Sequence, residues 1–201
     1  MANDQNTPFG PEDQFQYYDE FDYRVGFGRR FGAALLDLLI VTIVSSIAML
    51  FTGTMDLVQE HGIKVIIDPE LIRQFSEVST PMSLLISFLY YFMEVLLAAT
   101  PGKLILGIRI ASENRTWASY AKLFTRFSIK NLHLYFNLLA LLTGQMIFEG
   151  LSILVFIIIL FGFFFVLGAR RQAFHDMIAG TAVYFAGEVK YQPEEEPVKP
   201  L

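Results

Sequence analysis

The chain of 201 residues contains no cysteine, so it forms no disulfide, builds no thiolate metal site and offers no cysteine nucleophile. Histidine is scarce as well. His61 and His133 stand alone, and His175 has only Asp176 beside it. With no serine elbow and no third ligand nearby, neither a catalytic triad nor a metal centre can be assembled. The chain is therefore read as a non-enzyme without a cofactor. Positive charge is short too: 15 Lys and Arg stand against 20 Asp and Glu, a net charge of -5, which argues against nucleic acid as a partner. No basic segment leads into an apolar stretch at the start, so no cleavable signal is read and the first apolar helix must insert itself. TPGK at Thr100–Lys103 lacks the preceding GxxxxG spacing and a following Ser or Thr, which excludes a phosphate loop. A tight turn with Lys103 at the headgroups is expected there.

Apolar residues are abundant: 54% of the chain is hydrophobic, and those residues fall in blocks. This is the composition of an integral membrane protein with the bilayer as its solvent. Crossing takes about 20 apolar residues. The reading is an all-α bundle of four spans, at about 31–53, 82–99, 132–148 and 151–167, with three spans as the alternative. Residues 24–187 form the membrane domain. Residues 1–23 form an acidic flexible tail, and residues 188–201 a disordered acidic one.

Charge sets the orientation. Arg24, Arg29 and Arg30 precede the first span. Lys103, Arg109, Arg115, Lys122, Arg126 and Lys130 follow the second, with Glu113 the one acid among them, and Arg170 and Arg171 follow the last. Basic loops stay cytoplasmic, so both termini are expected inside. The acidic stretch 54–80 would be translocated. Within it KVIID is expected as a strand and PELIRQFSEV as a short helix with Pro at its first turn, and Pro81 is expected to open the second span. Residues 117–130 carry Lys122, Arg126 and Lys130 at a spacing of four, the pattern of a helix lying on anionic lipid headgroups. Gly144–Gln145 and Glu149–Gly150 interrupt the last apolar stretch, and the hairpin turn is placed at Glu149–Gly150.

Asp37 is the one charge inside the first span, where a carboxylate costs roughly 2.5–3.5 kcal/mol on insertion scales. Arg30 lies two helical turns before it on the same face, with Ala33 between them as a small residue that lets another helix approach. The second span carries a polar stripe of Ser83, Ser87, Tyr90, Tyr91 and Glu94. Glu94 lies at the same depth as Asp37, so the two carboxylates would share a proton or hold a cation. Two readings of Asp37 stay open: a transport or gating role, or a structural lock with Arg30. Asp176 is expected to pair with a nearby arginine and close the base of the bundle.

RRFGAALLD at Arg29–Asp37, TPGKLILGIRI at Thr100–Ile110 and RRQAFHDMIAGTAV at Arg170–Val183 together resemble the RDD family of bacterial membrane proteins, over roughly Arg24 to Phe185. The resemblance implies that Arg30, Asp37 and Asp176 are the three residues for which the family is named, with Arg29 competing for the arginine role. It also implies a multi-pass protein of the bacterial cytoplasmic membrane and transport of an unspecified ligand. The expected function is a small transporter, cation against proton. Asp37 and Glu94 would be the titrating or cation-holding centre, with Arg30 competing for Asp37 and Asp176 holding Arg30 or Arg109. Ser87, Tyr90, Lys103 and His175 would support them. The protein would act as a homo-oligomer. The rival reading is a membrane scaffold or accessory subunit that binds a protein or anionic lipid.

Overall fold

The computed structural model describes residues 20–190; the tail expected to be flexible (1–23) and the tail expected to be disordered (188–201) lie outside them, except for 20–23 and 188–190. Those two stubs are folded. Glu20–Tyr23 forms a 3-10 turn, and Lys190 donates its N–H to the Arg115 carbonyl.

Three helices are long and apolar enough to cross a membrane. They are α1 (Phe27–Met49), α3 (Pro69–Leu97), and α7 (Met146–Phe163) with its 3-10 extension to Leu167. At about 1.5 Å per residue, the 23 residues of α1 rise roughly 34 Å, against a hydrocarbon core of about 30 Å. Leu38, Leu39, Ile43 and Ile47 of α1 face outward, as expected of a surface whose solvent is lipid.

The loop between the first two spans differs from its sequence reading. The expected strand at KVIID is a 3-10 turn, Gly62–Ile66, preceded by α2 (Thr54–His61). The expected short helix does start at Pro69, where the Asp68 carboxylate accepts the N–H groups of Glu70 and Leu71. It then runs without interruption into the second span. Pro81 lies inside α3 rather than at its start.

The fourth apolar helix, α6 (Leu132–Thr143), has 12 residues and rises only about 18 Å. It forms an antiparallel hairpin with α7. The turn is at Gly144–Gln145, not at Glu149–Gly150: Gly144 takes φ +67° and closes α6 in the left-handed region, as glycine does at helix ends. Glu149 falls in the first turn of α7, where the exposed N–H groups favour an acid. The Ser152 hydroxyl donates to the His133 carbonyl, so α6 starts level with the middle of α7. α5 (Tyr120–Lys130) precedes α6 and joins it through Asn131. Among the described residues three helices, rather than the expected four, have the length to cross, because α6 ends at Gly144.

The buried core sits at the basic end of the bundle. There α4 (Pro101–Ile105), α5, α8 (Phe174–Ala179) and a two-stranded sheet pack under the long helices. β1 (Ile108–Ser112) pairs antiparallel with β2 (Thr181–Phe185), Ile108 opposite Phe185 and Ser112 opposite Thr181. Ile108, Ile110 and Val183 point into one cluster with Val95, Leu123 and Phe127. α5 is thus more than a headgroup-lying helix. Leu123, Arg126 and Phe127 are buried, and Phe127 meets Phe88 and Phe92 of α3 edge-on.

Candidate functional site

Asp37 projects from the middle of α1 and is 4% exposed. Its expected partner does not reach it. The carboxylate instead takes three donors from other elements. Tyr90 of α3 donates its hydroxyl to Oδ1 at 2.7 Å, the Gly102 N–H of α4 donates to the same oxygen at 2.8 Å, and Thr100 donates its hydroxyl to Oδ2 at 2.6 Å. Hydrogen bonds to an ionised acceptor are roughly twice as strong as neutral ones. Asp37 therefore offsets its desolvation by tying α1 to α3 and to the start of α4. Thr100 and Gly102 belong to the TPGK stretch, whose role is to present donors to a buried acid. Ala33 does let another element close in, and that element is α4 at Gly102.

Arg30 is held elsewhere. Its guanidinium donates from Nη1 to Asp176 Oδ2 at 2.6 Å, from Nη2 to the Arg171 carbonyl at 2.7 Å, and from Nε to the Val25 carbonyl at 3.0 Å. The expected pairing with Asp176 is present, and Arg109 plays no part in it. Arg29 is exposed, with its guanidinium over the Phe185 ring and one long bond to the Leu106 carbonyl. Arg30 is thus the arginine that enters the site.

Asp176 continues the network. Its Oδ1 accepts from Arg126 Nε at 2.6 Å, and its Oδ2 also takes the Ala173 N–H of its own helix start. Arg126 pairs onward through Nη1 with Glu94 Oε1. Glu94 Oε2 accepts from Lys103 at 2.8 Å and Lys130 at 2.9 Å. Glu94 therefore does not share a proton with Asp37; three cations surround it. Lys103 does not reach for headgroups, and Arg126 and Lys130 turn inward. The chain Arg30–Asp176–Arg126–Glu94–Lys103/Lys130 joins α1, α8, α5, α3 and α4.

Four cations and two carboxylates make that chain electropositive. Burial, against the pull of Arg126 and Arg30, would raise the Asp176 carboxyl; the two guanidinium groups win and hold it well below the ordinary carboxylate range. Burial, then the charges of Lys103 and Arg126, pulls Lys130 well below an ordinary lysine, and Asp37 pulls it back up. Burial, with Arg126, Lys130 and Lys103 behind it, keeps His175 well below an ordinary histidine and hence neutral, against the opposing charge of Asp176. Arginine can only donate, so the contact from Arg126 Nη2 to His175 Nε2 at 3.2 Å fixes the tautomer. The proton sits on Nδ1, which is buried and has no partner.

A cavity of about 240 Å³ lies beside these groups. Asp37, Lys130, His133 and His175 line it on the polar side, and Phe156, Leu160 and Phe163 of α7 on the apolar side. Among the described residues no group of His, Asp or Glu is arranged to hold a metal ion through such ligands. Ser87, expected in support, makes no side-chain hydrogen bond among the described residues, whereas Tyr90 and Lys103 are in the networks.

Residues 24–180 match the RDD family. The chain belongs to the RDD family. No curated protein and no solved structure matches it significantly. The match covers the three residues that the resemblance singled out, and the fold separates their roles. In this RDD domain Arg30 and Asp176 form one buried pair, while Asp37 has its own set of donors. Arg126, Lys130, Thr100 and Gly102 complete the site without having been assigned to it by sequence. Only the basic spacing of the first two and the Thr-Pro-Gly turn of the others were visible.

Proposed function

We propose that this RDD domain is a small transporter that exchanges a monovalent cation for a proton through the Asp37 cavity. One observation carries the reading: Asp37 and Lys130 line the same cavity, so an acid and a readily deprotonated amine share one field. In the protonated state Tyr90 and Thr100 donate to Asp37, and Lys130 carries the proton. A cation that settles against Asp37 takes the same carboxylate and the Tyr90 and Thr100 oxygens as ligands, hard oxygen donors suited to sodium or lithium. Its charge and the loss of the Asp37 field then expel the Lys130 proton. Cation in and proton out balance in charge. A chain of this size would work as a homo-oligomer.

Purified protein reconstituted in liposomes with a trapped pH dye tests this. Outside sodium, potassium or lithium should drive a pH change inside. Asp37→Asn should abolish it, and Lys130→Met should leave cation binding without proton release. A folded protein that responds to none of the three cations sinks the exchange reading.

The scaffold reading is favoured by a different observation: Asp37 is already bonded by three donors, which is what a structural lock needs. Water separates the two readings. Ala34 lines the cavity, and the chain has no native cysteine. In a transporter, Ala34→Cys should react with a soluble maleimide at a rate well above that of Leu39→Cys, which faces lipid. Equal, negligible rates at the two positions are the scaffold outcome.

A further inference from the structure

A second cavity, of about 470 Å³, opens where α3 ends. Its wall is Leu96, Leu97 and Ala98, then Arg109 of β1, then residues 117–120 and Leu123 at the start of α5. Arg109 is the one charge in that wall. Alternation along β1 puts it on the face opposite Ile108 and Ile110, away from the core. No acid answers it. Arg109 makes no hydrogen bond or ion pair among the described residues, and its Nε is buried without a partner. The Trp117 ring lies 4.9 Å from its guanidinium carbon and leaves the donor edge of the fork unused. The first turn of α5 adds to this. Ser119 Oγ takes the Lys122 N–H, and the N–H groups of Tyr120 and Ala121 have no acceptor within the helix.

The rest of the wall says what kind of molecule brings the anion. Leu96 and Leu97 are exposed apolar side chains at the end of a membrane-spanning helix, and Trp117 and Tyr120 are exposed beside them. Tryptophan and tyrosine in this setting mark the level where acyl chains meet headgroups. Arginine binds phosphate oxygens through its planar fork. The wall holds no carboxylate, and the Trp117 ring, which could otherwise attract an ammonium, is paired with the Arg109 guanidinium, so the wall favours an anion. We propose that this cavity binds the phosphate of an anionic phospholipid. Arg109 and the first N–H groups of α5 meet the phosphate oxygens, Trp117 holds the guanidinium flat, and Leu96 and Leu97 carry the upper acyl chain. The site is distinct from the Asp37 cavity and does not depend on transport.

Trp117 is the single tryptophan of the chain, so its emission reports on this cavity alone. The full chain is placed in phosphatidylcholine nanodiscs containing increasing phosphatidylglycerol with a quencher near its headgroup. Saturable quenching is expected with phosphatidylglycerol and not with phosphatidylcholine carrying the same quencher. Arg109→Gln should raise the half-saturating lipid fraction by roughly tenfold or more, as expected for loss of charge-assisted bonds. Arg109→Lys should raise it severalfold, and it decides the matter if Arg109→Gln does not fold. Lys122→Gln, an exposed cation outside the wall, should leave it unchanged. The proposal is overturned by equal quenching by the two lipids, by no shift in either Arg109 variant, or by an equal shift in Lys122→Gln, which would mean a diffuse basic field. Reversal of quenching by millimolar inorganic phosphate would also overturn it, because the ligand would then be free phosphate.

Discussion

Asp176→Asn should cost the folded protein about 3–5 kcal/mol, the range for removing one partner of a buried ion pair. Asp176 is fully buried and answers Arg30 and Arg126, both buried as well. Asparagine keeps the shape and an acceptor oxygen but leaves two guanidinium groups with one carboxylate, Glu94, between them and the lysines. Thermal unfolding in detergent at a fixed scan rate should show a large drop in Tm. Asp56→Asn, on the exposed acidic loop, should shift it little. The coupling has a sign. Adding Arg30→Gln to Asp176→Asn removes an unpaired charge, so the double variant should lose less than the sum of the singles. A double variant that loses the full sum would mean the pair is not a unit.

The same carboxyl sets a pH dependence. Its folded pKa lies well below the unfolded value of about 3.9. The unfolded chain therefore binds more protons in acid, and the stabilisation from Asp176 is complete above about pH 4 and lost as pH falls through the folded value. The Tm gap between wild type and Asp176→Asn should be wide at neutral pH and narrow below about pH 4. A gap that stays constant there would place the loss in packing rather than charge.

How much of this the sequence reveals depends on the range of each interaction. The long spans and the arginine at the start of α1 follow from local composition, and the Asp68–Pro69 helix start follows from capping chemistry. The partners of Asp37 do not. A Thr-Pro-Gly-Lys segment looks like a turn with a headgroup anchor, and only the fold carries its N–H and hydroxyl to a carboxylate more than sixty residues away. Lys122, Arg126 and Lys130 show why spacing misleads. A basic face serves equally for lipid phosphate or for a buried acid, and Glu94, the acid that decides, comes from another helix. β1 and β2 are separated by α5, the α6–α7 hairpin and α8, so their pairing has no local sign beyond short runs of β-branched residues. The hairpin turn was within reach: glycine in the left-handed region is the stronger helix terminator, whereas an acid followed by glycine suits the first turn of the next helix.

Gly102→Ala should be as damaging as losing Asp176, although it removes no charge and no donor. Gly102 has an ordinary helical backbone, so its constraint is space. A Cβ there would stand 2.5 Å from the Ala33 carbonyl oxygen and 2.6 Å from Asp37 Oδ1. The first obstacle is backbone in the middle of α1 and cannot swing aside. The second is the carboxylate that the Gly102 N–H itself holds at 2.8 Å. α4 would have to retreat from α1, and the retreat would stretch the Gly102 bond and the Thr100 bond together. Asp37 would then sit at bilayer depth with Tyr90 as its only certain donor, and a buried carboxylate stripped of donors is costly. A loss of about 3 kcal/mol or more is expected, from overpacking together with weakened charge-assisted bonds. The two contributions can be separated. In Asp37→Asn the charge is gone, so adding Gly102→Ala should cost only the overpacking, about 1–3 kcal/mol. If Gly102→Ala costs as much in the Asp37→Asn background as in the wild type, the close approach alone matters. If its cost falls sharply there, the role of glycine at 102 is to let a backbone N–H reach the acid of α1.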